Sequence, residues 1–154
     1  MTALSLDQAT IIVDAALAAG RAENMMPLTV AVLDGGGHLL AFKREDGSGI
    51  LRPQVAIGKA WGALGMGQSS RTLRDRLNDR PSFIGALSDA SDGRFIPVPG
   101  GVLIRDGGGR MIGAVGISGD TSDKDEFCAI AGVKAAALKP DPADPDPAWA
   151  NSSL

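Results

Sequence analysis

Four basic side chains in the middle of the chain could hold an anionic ligand: Arg52, Lys59, Arg71 and Arg94. An arginine fork matches a carboxylate or a phosphate, with two parallel hydrogen bonds. Lys59 stands in a run of small and apolar residues, 56–61, so its amine either extends to the edge of the protein or faces a pocket. Each cation alone could be a solvated surface charge, but the set favours an anionic ligand.

Carboxylates collect further along, between residues 120 and 126. Asp123 or Ser122 fits the N-cap of a last helix, and the Asp123 carboxylate would also offset the helix dipole. Asp125 and Glu126 are candidates for a general acid or base, with Lys59 as a catalytic partner that stabilises charge. The same cluster could instead hold Mg²⁺ or Ca²⁺, although EF-hand spacing is absent, or pair with cations across a subunit interface.

The composition limits the classes of function. The chain has 154 residues, 44% of them hydrophobic and 21% charged, which indicates one globular domain. A net charge of −3 and 4% aromatic residues argue against a nucleic-acid partner. We expect no membrane partner and a cytoplasmic location, because no leader peptide or long apolar run is visible. The one cysteine, Cys128, is interpreted as a small buried hydrophobe and excludes a disulfide framework within the chain.

Two copies of Asp-Gly-Gly-Gly, at 34–37 and 106–109, lie between apolar, β-branched segments. This pattern predicts two hairpin turns, in which Asp34 and Asp106 bond backbone N–H groups two residues on. The flanking strands are predicted at 29–33, 39–44, 101–104 and 111–118.

Helices are predicted over 4–19, with Ser5 as N-cap and Gly20 as C-cap, and over 53–66, 71–78, 83–87 and about 123–138. Hairpins between helices indicate an α+β fold with an antiparallel sheet. A single domain is expected over 1–139, followed by a Pro/Asp-rich arm over 140–154 that cannot form a helix or a central strand. Trp149 could anchor this arm on a neighbouring surface.

The strand over 112–117 is interpreted as having glycine at alternate positions, so that one of its faces carries little side chain. This predicts the close approach of a helix, a ligand or another subunit to that face. The stretch from Gly113 to Gly119 could therefore let a ligand approach the backbone. The predicted ligand-binding set is Arg52, Lys59, Arg71, Arg94, Gly100, Gly101, Gly119 and Asp120.

Residues 32–42, VLDGGGHLLAF, resemble the first hairpin of the GlcG/HbpS family of haem-binding-type proteins, which includes the C-terminal domain of the PduO corrinoid adenosyltransferase. Further similar motifs follow in order at 44–47, 56–60, 99–102, 112–119 and 125–132, so the resemblance covers about residues 5–138. It implies a profilin-like or PAS-like antiparallel sheet of about five strands flanked by helices. It also implies a homo-oligomer that binds haem, a corrinoid-related molecule or another small ligand.

His38, the only histidine, is the candidate ligand for haem iron. The alternative, a half-exposed strand residue with a local hydrogen bond, is favoured by the residues alone. Zinc-type histidine spacing is absent, so no other metal site is predicted.

Two functional hypotheses follow. The first is a small-ligand-binding oligomer that takes an anionic, partly apolar molecule, with haem as a possible cofactor, held by Arg52, Lys59 and Arg94. The second is a lyase, isomerase or hydrolase that acts on a carboxylate-bearing or aromatic metabolite, with Glu126 or Asp125 as base. A purely structural role is a third alternative.

Overall fold

A computed structural model describes residues 3–154, and its centre is a five-stranded antiparallel sheet in the order β2-β1-β4-β3-β5. The elements in chain order are α1 (Leu6–Ala22), β1 (Thr29–Asp34), β2 (Leu39–Arg44), α2 (Arg52–Met66), α3 (Ser70–Leu77), α4 (Pro81–Ala90), β3 (Gly101–Arg105), β4 (Met111–Ser118), α5 (Ser122–Ala135), β5 (Lys139–Asp141) and a 3₁₀ turn (Trp149–Asn151). The α+β fold class is confirmed. Two residues of the predicted 1–139 domain, 1 and 2, lie outside the described range.

Both Asp-Gly-Gly-Gly segments are hairpin turns, and they share the same hydrogen bonds. Asp34 Oδ1 accepts from the backbone N–H of Gly36 at 2.9 Å and of His38 at 3.0 Å. Asp106 Oδ1 accepts from the N–H groups two and four residues on in the same way, at 3.0 and 2.9 Å. The third glycine of each turn has φ near +84°, at +83° and +85°, where a side chain would be strained. The turn prediction is confirmed at both places.

Each face of the sheet carries its own helices. Val30 and Val32 of β1 point into the larger core, which α1 and α5 cover. Leu33, one residue on, belongs to a smaller core with Ala60 and Ala63 of α2. Because successive strand residues alternate between faces, β1 is buried on both sides.

Several helix ends differ from the predicted ones by one to three residues, and two of these differences have a visible cause. α1 starts at the predicted cap, where Ser5 and Gln8 form a capping box, but it continues past Gly20 to Ala22. Gly20 instead lies against Leu28, where a Cβ would meet the leucine side chain at 2.6 Å. The last helix begins earlier than predicted, because Thr121 is its N-cap and accepts from the N–H of Lys124.

The C-terminal arm lies along the domain. Its first residues form β5, an edge strand paired with β3, and its last residues form the 3₁₀ turn. Trp149 stacks on Phe127 of α5, with ring centroids 3.7 Å apart, so its anchor is a helix of its own chain. The assignment of 140–154 as a unit separate from the domain stays a prediction. Within residues 3–154, no helix combines the length and the apolar character that a membrane span needs.

Candidate functional site

The first group of chemically capable side chains lies where β4 ends and β3 begins, and it contains Arg52, Lys59, Arg71, Asp125 and Glu126; we call it the ionic cluster. Its centre is a buried ion pair between Lys59 of α2 and Asp125 of α5. Lys59 Nζ lies 3.1 Å from Asp125 Oδ2 and donates to the carbonyl of Ile117 at 2.9 Å. The two side chains are only 2% and 1% exposed.

Burial changes the proton affinity of both partners in this pair. It raises the pKa of Asp125 to about 6, although the Lys59 amine acts in the opposite direction. It also lowers the pKa of Lys59, again against the pull of the carboxylate. The two pKa values therefore move toward each other, because burial disfavours the charged form of both groups.

Glu126, the next residue of α5, is fully buried and faces Arg71 of α3. Arg71 Nε lies 3.1 Å from Glu126 Oε2, but the alignment is not that of a hydrogen bond. Both Glu126 oxygens therefore lack a hydrogen-bond partner among the described residues. Burial raises the pKa of Glu126 to about 7, although the Arg71 guanidinium opposes the rise. A carboxyl with this pKa can act as an acid or a base at neutral pH.

Arg71 and Arg52 reach the ionic cluster from the ends of two helices. Ser69 caps α3, and the Ser70 hydroxyl accepts from the N–H of Gly101 at 2.7 Å, which joins the start of α3 to β3. Arg52 is the first residue of α2, and its Nη1 donates to Ser118 Oγ at 3.1 Å. The positive charge of Arg52 also contributes to the lowered pKa of Lys59.

The predicted glycine positions face the protein's own atoms. A Cβ at Gly100 would lie 2.9 Å from Lys59 Nζ, and one at Gly101 would lie 2.3 Å from the Lys59 carbonyl oxygen. At Gly119 a Cβ would meet the Pro27 carbonyl oxygen at 2.3 Å. These glycines therefore let α2 and the ends of the strands pack closely.

Asp120 also binds backbone: its carboxylate oxygens accept from the N–H groups of Met26 at 2.8 Å and Thr121 at 2.7 Å. In this structure Asp120 thus fixes the loop before α5.

The glycines of β4 do not form one open face. A Cβ at Gly116 would meet the Ala56 carbonyl of α2, whereas one at Gly113 would meet Leu4 and the Leu33 carbonyl on the opposite side. The two positions are three residues apart, so they point to opposite faces of the sheet. The expected single glycine-lined face for a ligand is therefore not formed. Of the three predicted kinds of neighbour, which were a helix, a ligand or another subunit, the one at Gly116 is helix α2.

A second group lies around the first hairpin, and we call His38, Trp61 and Arg94 the aromatic face. The His38 side chain is 81% exposed, and its Nδ1 lies 3.1 Å from Asp34 Oδ1. Burial pushes the pKa of Asp34 up, but backbone hydrogen bonds from His38 and Gly36 hold it below its usual value. Asp34 is therefore an ionised partner for the imidazole.

Trp61 connects the hairpin to Arg94. A Cβ at Gly37 would lie 2.9 Å from Trp61 Nε1, so the turn abuts the indole. The Arg94 guanidinium lies 4.1 Å from the Trp61 ring centroid, and its Nε donates to the Ser91 carbonyl at 3.0 Å. A cavity of about 230 Å³ beside Trp61 is lined mainly by apolar side chains, among them Met66, Leu87 and Phe95.

The structure thus divides the predicted cations. Arg52, Lys59 and Arg71 meet in the ionic cluster, while Arg94 belongs to the aromatic face. Sequence reasoning did not name Trp61, which the structure places between the first hairpin and Arg94. The signal was present, because Trp61 is one of only two tryptophans in a chain with 4% aromatic residues.

The remaining candidate side chain is the Cys128 thiol. Cys128 is buried with its Sγ 3.4 Å from Met25 Sδ, and burial raises its pKa to about 12. The thiol is therefore not a nucleophile at neutral pH. Among the described residues, no three His, Cys, Asp or Glu side chains come together as metal ligands.

Comparison with known proteins gives a consistent pattern. A family model described as "haem degrading protein HbpS-like" matches residues 4–134. An uncharacterised 15.0 kDa protein of Citrobacter freundii, from the dhaT-dhaS intergenic region, is 29% identical over 106 residues, which are 68% of this chain and 72% of that protein.

Solved structures extend the similarity over most of the chain. A double mutant of HbpS from Streptomyces reticuli is 30% identical, covers 87% of each chain and has a TM-score of 0.75. A complex of PduOC with haem is 24% identical, covers 89% of this chain and 97% of that chain, and has a TM-score of 0.79. The Klebsiella pneumoniae protein ORFY gives the same identity and TM-score, with 89% and 93% covered.

Proposed function

The chain belongs to the HbpS-like family, and on that premise we propose that it binds an anionic, partly apolar small molecule, with haem as the first candidate, on the aromatic face. The haem complex of PduOC, which has the same fold, supports this choice of ligand. Lys59 is set aside as an anion holder because Asp125 already neutralises it. Arg94 takes that role, since its guanidinium stacks on Trp61 beside an apolar cavity.

The observation that carries the proposal is the exposed His38 imidazole with Asp34 behind it. Iron-binding histidines commonly donate their second ring nitrogen to a carboxylate, which fixes the ring and makes the other nitrogen more basic. Asp34 is the carboxylate partner at Nδ1, so Nε2 is the nitrogen available to iron. The turn itself does not need a histidine, because Arg110 holds the same place in the second hairpin with the same backbone bonds.

The surroundings fit a haem-like molecule. Trp61 and the apolar cavity supply surface for a flat, apolar ring, and Arg94 can pair with a propionate. The cavity, about 230 Å³, is smaller than the sites that enclose a drug-sized ligand, so it would take one edge. Bound haem would supply iron for redox chemistry, and the chain would hold and orient it. We include a homo-oligomer in the proposal, because a second copy could cover the exposed side of the ligand; light scattering would test this.

Titration with haemin tests the proposal. We expect the wild-type protein to give a sharpened Soret band at a defined stoichiometry. His38→Ala should remove the ligand-specific band position and weaken binding at least tenfold, and Arg94→Met should weaken binding less. Arg110→Ala is the matched control, because it changes the equivalent residue of the other turn. An unchanged Soret band in His38→Ala would show that His38 is not the ligand.

A second candidate function is favoured by one specific observation, the fully buried Glu126 with two oxygens that lack hydrogen-bond partners. Its pKa near 7 suits a general base or acid, and Arg71 beside it can bind a carboxylate. This supports an enzyme, of the lyase, isomerase or hydrolase type, that acts on a small carboxylate-bearing or aromatic metabolite. Asp125 and Lys59 would serve as a second proton-exchanging pair.

Thermal shift measurements with a panel of small mono- and dicarboxylates test this candidate. We expect at least one compound to raise the unfolding temperature of the wild type, and Arg71→Met or Glu126→Gln to abolish the shift. Lys43→Met is the control, because Lys43 pairs with Asp14 on a different surface. If no carboxylate raises the unfolding temperature, the second candidate is wrong.

A further inference from the structure

The C-terminal arm, residues 140–154, contacts Arg71 beside Glu126, and we propose that it is a removable strap that must lift before a carboxylate-bearing ligand can reach the Arg71–Glu126 pair. The inference rests on the second candidate function. It concerns access to that site, which the family match does not address, because the matched region ends at residue 134.

The arm is fastened on both sides of the pair. At its start, β5 pairs with the edge of β3, and Arg105 Nη2 lies 2.9 Å from Asp141 Oδ2. At its end, Trp149 stacks on Phe127, the residue that follows Glu126. The Ser152 and Thr121 hydroxyls also lie 2.6 Å apart, which fixes the arm to the cap of α5.

Between these two fastenings the arm makes its contact with Arg71. Arg71 Nη2 donates to the main-chain carbonyl of Asp144 at 2.8 Å, while its Nε faces Glu126. The arm therefore occupies an N–H group of the guanidinium fork that an incoming carboxylate would need for a two-point contact. The Asp146 carboxylate is close enough to contribute to the raised pKa of Glu126.

Trp149 is the residue of the arm that packs against the larger core, from the outside, so the arm can lift while the buried core residues keep their contacts with one another. None of residues 140–154 is buried, and residues 142–148 form neither a helix nor a strand. β5 has only three residues and pairs on one side only. Segments with few buried contacts and few backbone hydrogen bonds open at low free-energy cost. The covered Glu126, in contrast, is held in α5 and stays in place when the arm moves.

The experiment compares two full-length variants, Trp149→Ala and Trp149→Phe. The probe is phenylglyoxal, which modifies arginine side chains, and peptide mapping by mass spectrometry follows the modification rate of each arginine. We expect Trp149→Ala to modify Arg71 faster, on the order of fivefold, because it loses the aromatic stacking. Trp149→Phe should remain near the wild-type rate, since a phenyl ring can still stack on Phe127. Arg52, which donates to Ser118 away from the arm, is the internal reference and should not change.

Two outcomes would contradict the proposal that the arm is a removable strap. One is an unchanged Arg71 rate in both Trp149→Ala and Ser152→Ala, which release the far end of the arm in different ways. The other is an equal rise in the modification rates of Arg71 and Arg52 together with a lower unfolding temperature, because that combination indicates that the whole protein is destabilised. Adding succinate separates the strap from the function it rests on. If Arg71 becomes reactive on release but succinate gives it no protection, the strap holds and the proposed carboxylate site fails.

Discussion

The ionic cluster and the aromatic face use charge in opposite ways. In the ionic cluster, Lys59, Asp125 and Glu126 are almost completely removed from water, and each charge depends on a partner in another element. On the aromatic face, His38 is 81% exposed and its partner Asp34 is four residues away in the same turn. Burial makes the first group sensitive to any lost partner and shifts its pKa values. Exposure leaves the second group free to meet a ligand at little cost to the fold.

The largest expected effect is on stability, at the centre of the ionic cluster. Lys59→Met leaves Asp125 buried without a counter-charge, so we expect a loss of about 3–5 kcal/mol in the free energy of unfolding near pH 7.5, measured by urea denaturation. The loss should shrink at pH 5, because removal of the Lys59 amine, which lowers the pKa of Asp125, leaves this buried carboxyl protonated and neutral at that pH. The double variant Lys59→Met/Asp125→Asn is the control and should recover part of the loss. A loss below about 1 kcal/mol would remove the distinction between the two regions.

A smaller effect is the pH dependence that Glu126 gives to the free energy of unfolding. Its pKa is about 7 in the folded chain against an ordinary value of 4.5, so the folded state binds the proton more tightly than the unfolded state. This contribution to stability is fully present below about pH 4.5 and is lost as the pH rises to about 7, with a size on the order of 3 kcal/mol.

Glu126→Gln should remove this slope, and the difference between the two stability curves isolates Glu126 from the other groups that titrate. The charged side chains that act on Glu126 are Arg71, Arg74, Asp123 and Asp146. All four remain in the variant. If wild type and Glu126→Gln lose stability in parallel from pH 4.5 to 7, Glu126 is ionised throughout this range and is no acid or base candidate.

The smallest effect is expected on the aromatic face. His38→Ala should change the free energy of unfolding by less than about 0.5 kcal/mol, because the side chain is exposed and Asp34 keeps its two backbone hydrogen bonds. The same variant should lose the haemin response, so binding and stability separate here. Urea denaturation checks the first part. A loss above about 1 kcal/mol would mean that His38 has a structural role and that the contrast is overstated.

Most of the fold could be predicted, because its signals are local. The two turns depend on contacts within five residues, and the Ser5 capping box depends on contacts within four. The predicted N-cap of the last helix, Ser122 or Asp123, lies one or two residues after the observed one, Thr121. All three residue types are acceptable N-caps, so the path of the preceding loop decides which of them caps the helix. The family resemblance was also visible in the sequence, as a series of motifs in order along the chain.

The candidate site was predicted less completely. The residue types were recognised for Lys59, Asp125 and Glu126, but their partners were not. Lys59 and Asp125 lie 66 residues apart and meet only because α2 and α5 pack on opposite faces of the sheet near the same strand ends. Arg94 was grouped with the other cations, although the fold places it on Trp61.

The order of amino acids along the chain was therefore enough to set the hairpin turns, the helix start at Ser5 and the family. These follow from backbone conformation and hydrogen bonds between residues close in the chain. Tertiary packing fixed which charges are buried, which cation joins which group, and the contact of the C-terminal arm with Arg71. Burial, and the pKa shifts that follow from it, depend on all the elements packed around a side chain, so they cannot be read from a short stretch of sequence.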